Sequence, residues 1–218
     1  MKDGVLKLMF WGSYFYFSFL LLLITLQYVP YNSDVAFLRI KQDVVIHDYY
    51  KVAFFIHVYT SIFLMVLGAI QFILPITYKT KKIHRYSGRL YVLIILFLSG
   101  PSGLVMSYHA NGGIFAQMAF LILSFLWMGF TGASIYYAMT GLMQKHQIYA
   151  LRSFALTLSA ISLRLFKFLI VYFFDLQSMD AYRIVAWLGW GVNLIIVEII
   201  IYRRLKKTNI SSAQKVHK

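Results

Sequence analysis

The sequence predicts an all-α integral membrane protein, and three observations predict it. Hydrophobic residues make up 61% of the 218-residue chain and charged residues only 13%, roughly half the charged share of a soluble domain. Mean hydropathy is +0.71. The apolar residues gather into six runs, at 8–28, 52–76, 87–108, 114–141, 150–174 and 183–202, each near the roughly 20 residues a helix needs to cross a hydrocarbon core. What lies between them is too short for a separate soluble domain, so residues 1–218 are expected to form one membrane domain.

The first run follows Met-Lys-Asp-Gly and has no small-residue cleavage pattern after it, so it reads as a retained signal anchor. Residues 29–50 make the one long loop, which opens on Pro30 and carries Val35, Phe37, Leu38 and Ile40, the apolar positions of a short interfacial helix. The connection 109–113, His-Ala-Asn-Gly-Gly, is a tight turn on the same side. Residues 203–218 read as a solvated basic tail.

Charge orients these spans. Lys2, Lys7, Lys79, Lys81, Lys82, Arg85, Arg89, Lys145, Arg152, Arg203, Arg204, Lys206, Lys207, Lys215 and Lys218 fall on one face, against Arg39, Lys41, Lys51 and Arg183 on the other. The basic face is expected to be cytoplasmic, which places both termini on the inner side of a bacterial plasma membrane. The net charge of +14 is thereby assigned to topology and anionic lipid, with no nucleic-acid partner expected. Absence of Cys removes disulfides, thiolate metal sites, iron–sulfur clusters and cysteine nucleophiles.

Polar residues inside the runs recur at helical spacing. Span two carries His57, Ser61, Gly68, Gln71 and Pro75; span three Gly88, Ile95, Ser102 and His109; span four Gln117, Ser124, Thr131 and Ala138; span five Ser153, Thr157, Ala160 and Arg164. Because polar and small residues face the bundle interior in lipid, spans two to five are expected to make a four-helix core. The greasier spans one and six would pack outside it. The Ser-Gly-Pro-Ser-Gly stretch at 99–103 interrupts span three, and Pro101 alone accounts for a kink.

Four histidines lie near span ends. The 25 residues from His84 to His109 amount to about 37 Å of helix, so these two belong to opposite membrane faces. Depth pairs His57 with His109 outside and His84 with His146 inside. Two stacked bis-imidazole sites suit a transmembrane carrier with two b-type haems, with Arg89, Arg152 or Arg164 meeting propionates and a quinol or other redox partner supplying electrons. Water or lipid phosphate satisfies the inner pair, close to the membrane boundary, more simply than haem does. Arg164, deep in span five, needs a partner inside the bundle, for which Gln117 or a bound anion is available. Glu198 lies within reach of the basic tail.

Two segments are more specific: Lys82-Ile-His-Arg-Tyr-Ser-Gly-Arg-Leu-Tyr91, and the stretch from His146-Gln-Ile-Tyr-Ala-Leu-Arg-Ser-Phe-Ala-Leu-Thr to Leu163-Arg164. Together with His57 and Gly112-Gly113, they resemble the bacterial membrane-protein family known as domain of unknown function 2306, over about residues 50–175. The resemblance implies that His57, His84, Arg85, Gly88, Arg89, His146, Arg152, Ser153 and Arg164 are family-pattern positions, and it implies no activity. The four-helix arrangement is also similar to the di-haem b-type transmembrane cytochromes. Three functions follow as expectations: a haem b electron-transfer protein; a non-enzymatic module binding an anionic headgroup or a partner protein through a basic His/Arg cluster; and a small transporter, for which a second broken span is wanting. Hydrolase chemistry has no Ser-His-acid set or His-Glu-x-x-His pattern behind it.

Overall fold

A computed structural model describes residues 2–74 and 77–216, and every regular element among them is helical. In order these are α1 (Lys2–Leu26), a 3-10 turn (Ala36–Ile40), α2 (Gln42–Val45), α3 (Asp48–Ile73), α4 (Lys81–Leu93), a π-helical segment (Ile94–Ser99), α5 (Gly100–Tyr108), α6 (Ile114–Met139), α7 (Met143–Thr157), α8 (Ser159–Phe174) and α9 (Ser178–Val216). Five stretches are long and apolar enough to cross a membrane: Gly4–Leu26, Asp48–Ile73, Lys81–Tyr108, Ile114–Met139 and Met179–Lys207. The fifth run of the sequence is instead a bent pair, α7 and α8, meeting at 41°. Pro75, the last member of the stripe in span two, lies outside the described residues.

The chain divides into two compact units, Met1–Phe125 and Leu126–Lys218. In the first, α1 rests on α3, where the buried Tyr14 hydroxyl donates to the Met65 carbonyl. The loop after α1 closes one end. Leu38, Val44 and Val45 bury themselves among Tyr28, Tyr50, Phe54 and Phe55, with Val35 and Phe37 partly buried against them. The segment expected to float at the interface is therefore a packed cap, and only Ile40 of its apolar positions stays exposed.

The polar stripe of α3 faces span three. Thr60 and Ser61 reach the Ser99 hydroxyl at 2.7 and 3.3 Å. Gln71 donates to the Ser87 hydroxyl at 2.6 Å and the His84 carbonyl at 3.1 Å. Each bond ties a side chain to a neighbouring helix, where lipid offers no competing water. Around Pro101 the span stays continuous, and the interruption takes the form of a wide turn just before it. The Gly100 N–H reaches back five residues to the Ile95 carbonyl. Pro101 has no N–H for the preceding turn and its ring crowds that turn's carbonyls, which a π turn relieves.

In the second unit, hydroxyls join α6 to α7: Trp127 Nε1 donates to Thr157 Oγ1 at 3.0 Å, and Thr131 and Ser153 share a 2.7 Å bond. The bend after α7 contains neither Pro nor Gly. Thr157 bonds back to the Ser153 carbonyl and Ser159 to that of Leu156, the back-bonding by which Ser and Thr bend helices. Asn193 of α9 spans the bend, giving Nδ2–H to Ala155 O at 3.1 Å and accepting the Ser162 hydroxyl at 3.0 Å. At Gly189 a Cβ would lie 3.1 Å from the Leu163 backbone, so any larger residue would push α8 and α9 apart by a few tenths of an ångström. In its unit, α9 is the element against which α7 and α8 pack, burying Val197 and Ile201 with Ala155.

Candidate functional site

Two of the four histidines are held in the same way. His57, half-buried on α3, gives its Nδ1 hydrogen to the Ser99 carbonyl at 2.8 Å. A carbonyl only accepts, so Nδ1 carries a hydrogen, and in the neutral ring the lone pair is on Nε2. The acceptor is the last residue of the π segment, two positions before Pro101. Gly103 makes room for the ring: a Cβ there would stand 3.3 Å from His57 Cε1 and 3.4 Å from Ser124 Oγ.

His146, in the second unit, repeats the arrangement. Its Nδ1 lies 2.9 Å from the Ser134 carbonyl and 3.1 Å from that residue's hydroxyl, so its lone pair too resides on Nε2. The sequence placed His146 ahead of its span. Because α7 begins at Met143, the histidine lies inside a helix, and α6 can orient it. Donation of one ring N–H to a backbone carbonyl is how an imidazole is set for metal ligation through its other nitrogen.

The other two differ. His109 follows α5 at the turn, with Nε2 2.9 Å from the Tyr49 hydroxyl and its carbonyl accepting from Lys41 Nζ. Rings of Tyr49, Tyr50 and Tyr108 surround it. His57 is anchored at Ser99, ten residues earlier on the same span, which is about 15 Å along a helix. The expected outer pair is thus not brought together, because equal nearness to a span end left two turns or more of depth unaccounted for. His84 lies in the first turns of α4, half-buried, with its carbonyl held by Gln71. Along α3, Gln71 is fourteen residues from His57, about 21 Å, so His57 and His84 share no iron either. Among the described residues, no three His, Asp or Glu side chains gather in a metal-binding group.

Arg152 has a carboxylate partner of its own. It forms two parallel bonds to Glu198, at 2.6 and 2.9 Å, and lies over the rings of Tyr149 and Phe130 at 5.0 and 5.7 Å. Glu198 therefore meets α7 and not the basic tail. Glu198 is the one carboxylate in run 183–202 and Arg152 stands near the same end of run 150–174, a depth match that was present in the sequence. Arg164 is exposed and donates to Ala160 O of its own helix at 2.7 Å, where it was expected inside the bundle. Arg89 is exposed beside the Tyr86 ring, at 6.0 Å.

A family model described as "Predicted membrane protein (DUF2306)" matches residues 54–201. The chain belongs to the DUF2306 family. The match covers both anchored histidines, the Arg152–Glu198 pair, the stretches Lys81–Tyr108 and Ile114–Met139 in full, and most of Asp48–Ile73 and Met179–Lys207. It includes the segments around His84 and His146 on which the resemblance rested. Comparison with curated proteins and with solved structures gives no match.

Proposed function

We propose that this DUF2306 protein is a haem b-binding electron-transfer protein, with His57 and His146 each supplying an axial imidazole. One observation carries the reading: in each unit a half-buried histidine donates Nδ1–H to a helix carbonyl and keeps its lone pair on Nε2. That donor set fits haem iron, since the carbonyl bond fixes ring orientation and raises the basicity of the ligating nitrogen. Haem b, when bound, supplies one-electron chemistry. The chain's part is to orient the imidazoles, to exclude water through the apolar spans and to tune potential through burial. On this reading α7 and α8 count as one crossing, making six, with both termini at the cytoplasmic face of a bacterial inner membrane. A quinol or another reductant is the partner.

The test is an absorption spectrum of protein purified from haem-replete cells. A Soret band, a sharp reduced α-band and haem by pyridine assay are expected. His57→Ala and His146→Ala should each halve the haem stoichiometry, while His109→Gln leaves it unchanged because that ring is engaged with Tyr49. A colourless wild-type protein ends the proposal.

A further inference from the structure

The first two turns of α4 hold a concentration of charge that the haem reading does not use. Lys81, Lys82, Arg85 and Arg89 are all exposed. At 100° per residue they occupy an arc of about 100° on the helix surface. The buried Ser87 and Tyr91 lie on the far side of the helix, and His84 with them. Next to the basic arc, on the side away from the packed face, come exposed Tyr86, Leu90 and Ile83. The stripe therefore runs between the face packed on α3 and a face suited to acyl chains, at the end of a stretch apolar enough to cross a membrane.

What neutralises it is absent from the neighbourhood in sequence: residues 49–174 contain no Asp or Glu. Four cations elsewhere have carboxylates. Arg39 pairs with Asp34, Lys51 with Asp48, Arg183 with Asp180 and Arg152 with Glu198. None of the four stripe residues takes part in an ion pair among the described residues. From Lys81 to Arg89 the charges cover about 12 Å of helix, enough to meet more than one phosphate. Tyr78, fully exposed in the preceding connection, and Tyr86 suit the headgroup level, where amphipathic rings partition.

We propose that the basic stripe of α4 is a docking site for anionic phospholipid headgroups of the leaflet in which this helix end sits. The surrounding apolar arc takes the acyl chains, and the four cations take the phosphates as charge-assisted hydrogen bonds.

The experiment uses the full-length protein in mild detergent, with phosphatidylglycerol, phosphatidylcholine and inorganic phosphate as probes, read by native mass spectrometry and by thermal shift. Wild type should retain phosphatidylglycerol over phosphatidylcholine and gain thermal stability from it. Replacing Lys81, Lys82, Arg85 and Arg89 together by Gln should weaken retention by at least about tenfold. The same change at Arg203, Arg204, Lys206 and Lys207 should leave it within about twofold of wild type. Lys81→Arg with Lys82→Arg, which keeps the charge, should retain the lipid and guards against a folding defect. Equal loss in both Gln variants, retention by the stripe variant, or displacement of the lipid by millimolar inorganic phosphate would each overturn the assignment. Haem content is a separate readout, so failure here leaves the haem proposal to its own test.

Discussion

His109 illustrates what a residue's chemistry requires beyond its position. Its imidazole is held below the ordinary value of 6.5, first by burial and then by the charges of Lys41 and His47, with Asp43 opposing. Lys41, itself lowered by burial, donates to the His109 carbonyl. The uncharged phenols of Tyr49, Tyr50 and Tyr108 complete the surroundings. Because the folded state disfavours the proton, the unfolded chain binds it more readily. This contribution to stability is intact above the ordinary histidine value and is lost as pH falls through the folded one. The melting temperature of wild type should therefore drop between about pH 7 and pH 5, and His109→Gln, which retains a partner for Tyr49, should flatten that slope. An unchanged slope in the variant would show that other groups set it. None of this is visible in the sequence, where His109 and His57 are alike as histidines close to span ends. Their difference comes from Ser99 and Tyr49, partners 42 and 60 residues distant along the chain.

At the scale of elements, the polar stripes were legible because period and residue type coincide. His57, Ser61 and Gln71 recur on one face of α3, and that face carries the bonds to span three. Breaks were less legible. Pro101 announces one, although it comes out as a π turn before the proline. The bend after Thr157 has no such marker, since its Ser and Thr residues are equally common in straight membrane helices. What sustains the bend is Asn193, which joins α7, α8 and α9 through Ala155, Ser162 and its own turn at Gly189. Asn193→Leu keeps the branching and the number of heavy atoms and removes these bonds. It should cost about 1–2 kcal/mol, read as a lower midpoint in thermal or detergent unfolding of the purified protein. Ser162→Ala, which loses one bond of the set, should cost less than that. A midpoint unmoved by Asn193→Leu would mean that Gly189 and the small residues alone hold α8 on α9.

At the scale of the molecule, the lack of native Cys makes topology directly testable. Ala110→Cys, in the turn after α5, should react with an impermeant maleimide on intact cells, and Lys207→Cys should react only after permeabilisation. The reverse pattern would invert the orientation and place the α4 stripe outside. The sequence by itself determined that this is a helical membrane protein, which faces of its spans are polar and which end is basic. These are properties of composition and period, and lipid imposes them one helix at a time. Only the tertiary structure decided which histidines are held with a lone pair on Nε2, that Arg152 belongs to Glu198, that span five is bent and that α9 is a packing partner of α7 and α8. Each of those depends on a hydrogen bond or a close approach between residues distant in the chain, and such distances carry no period that a sequence displays.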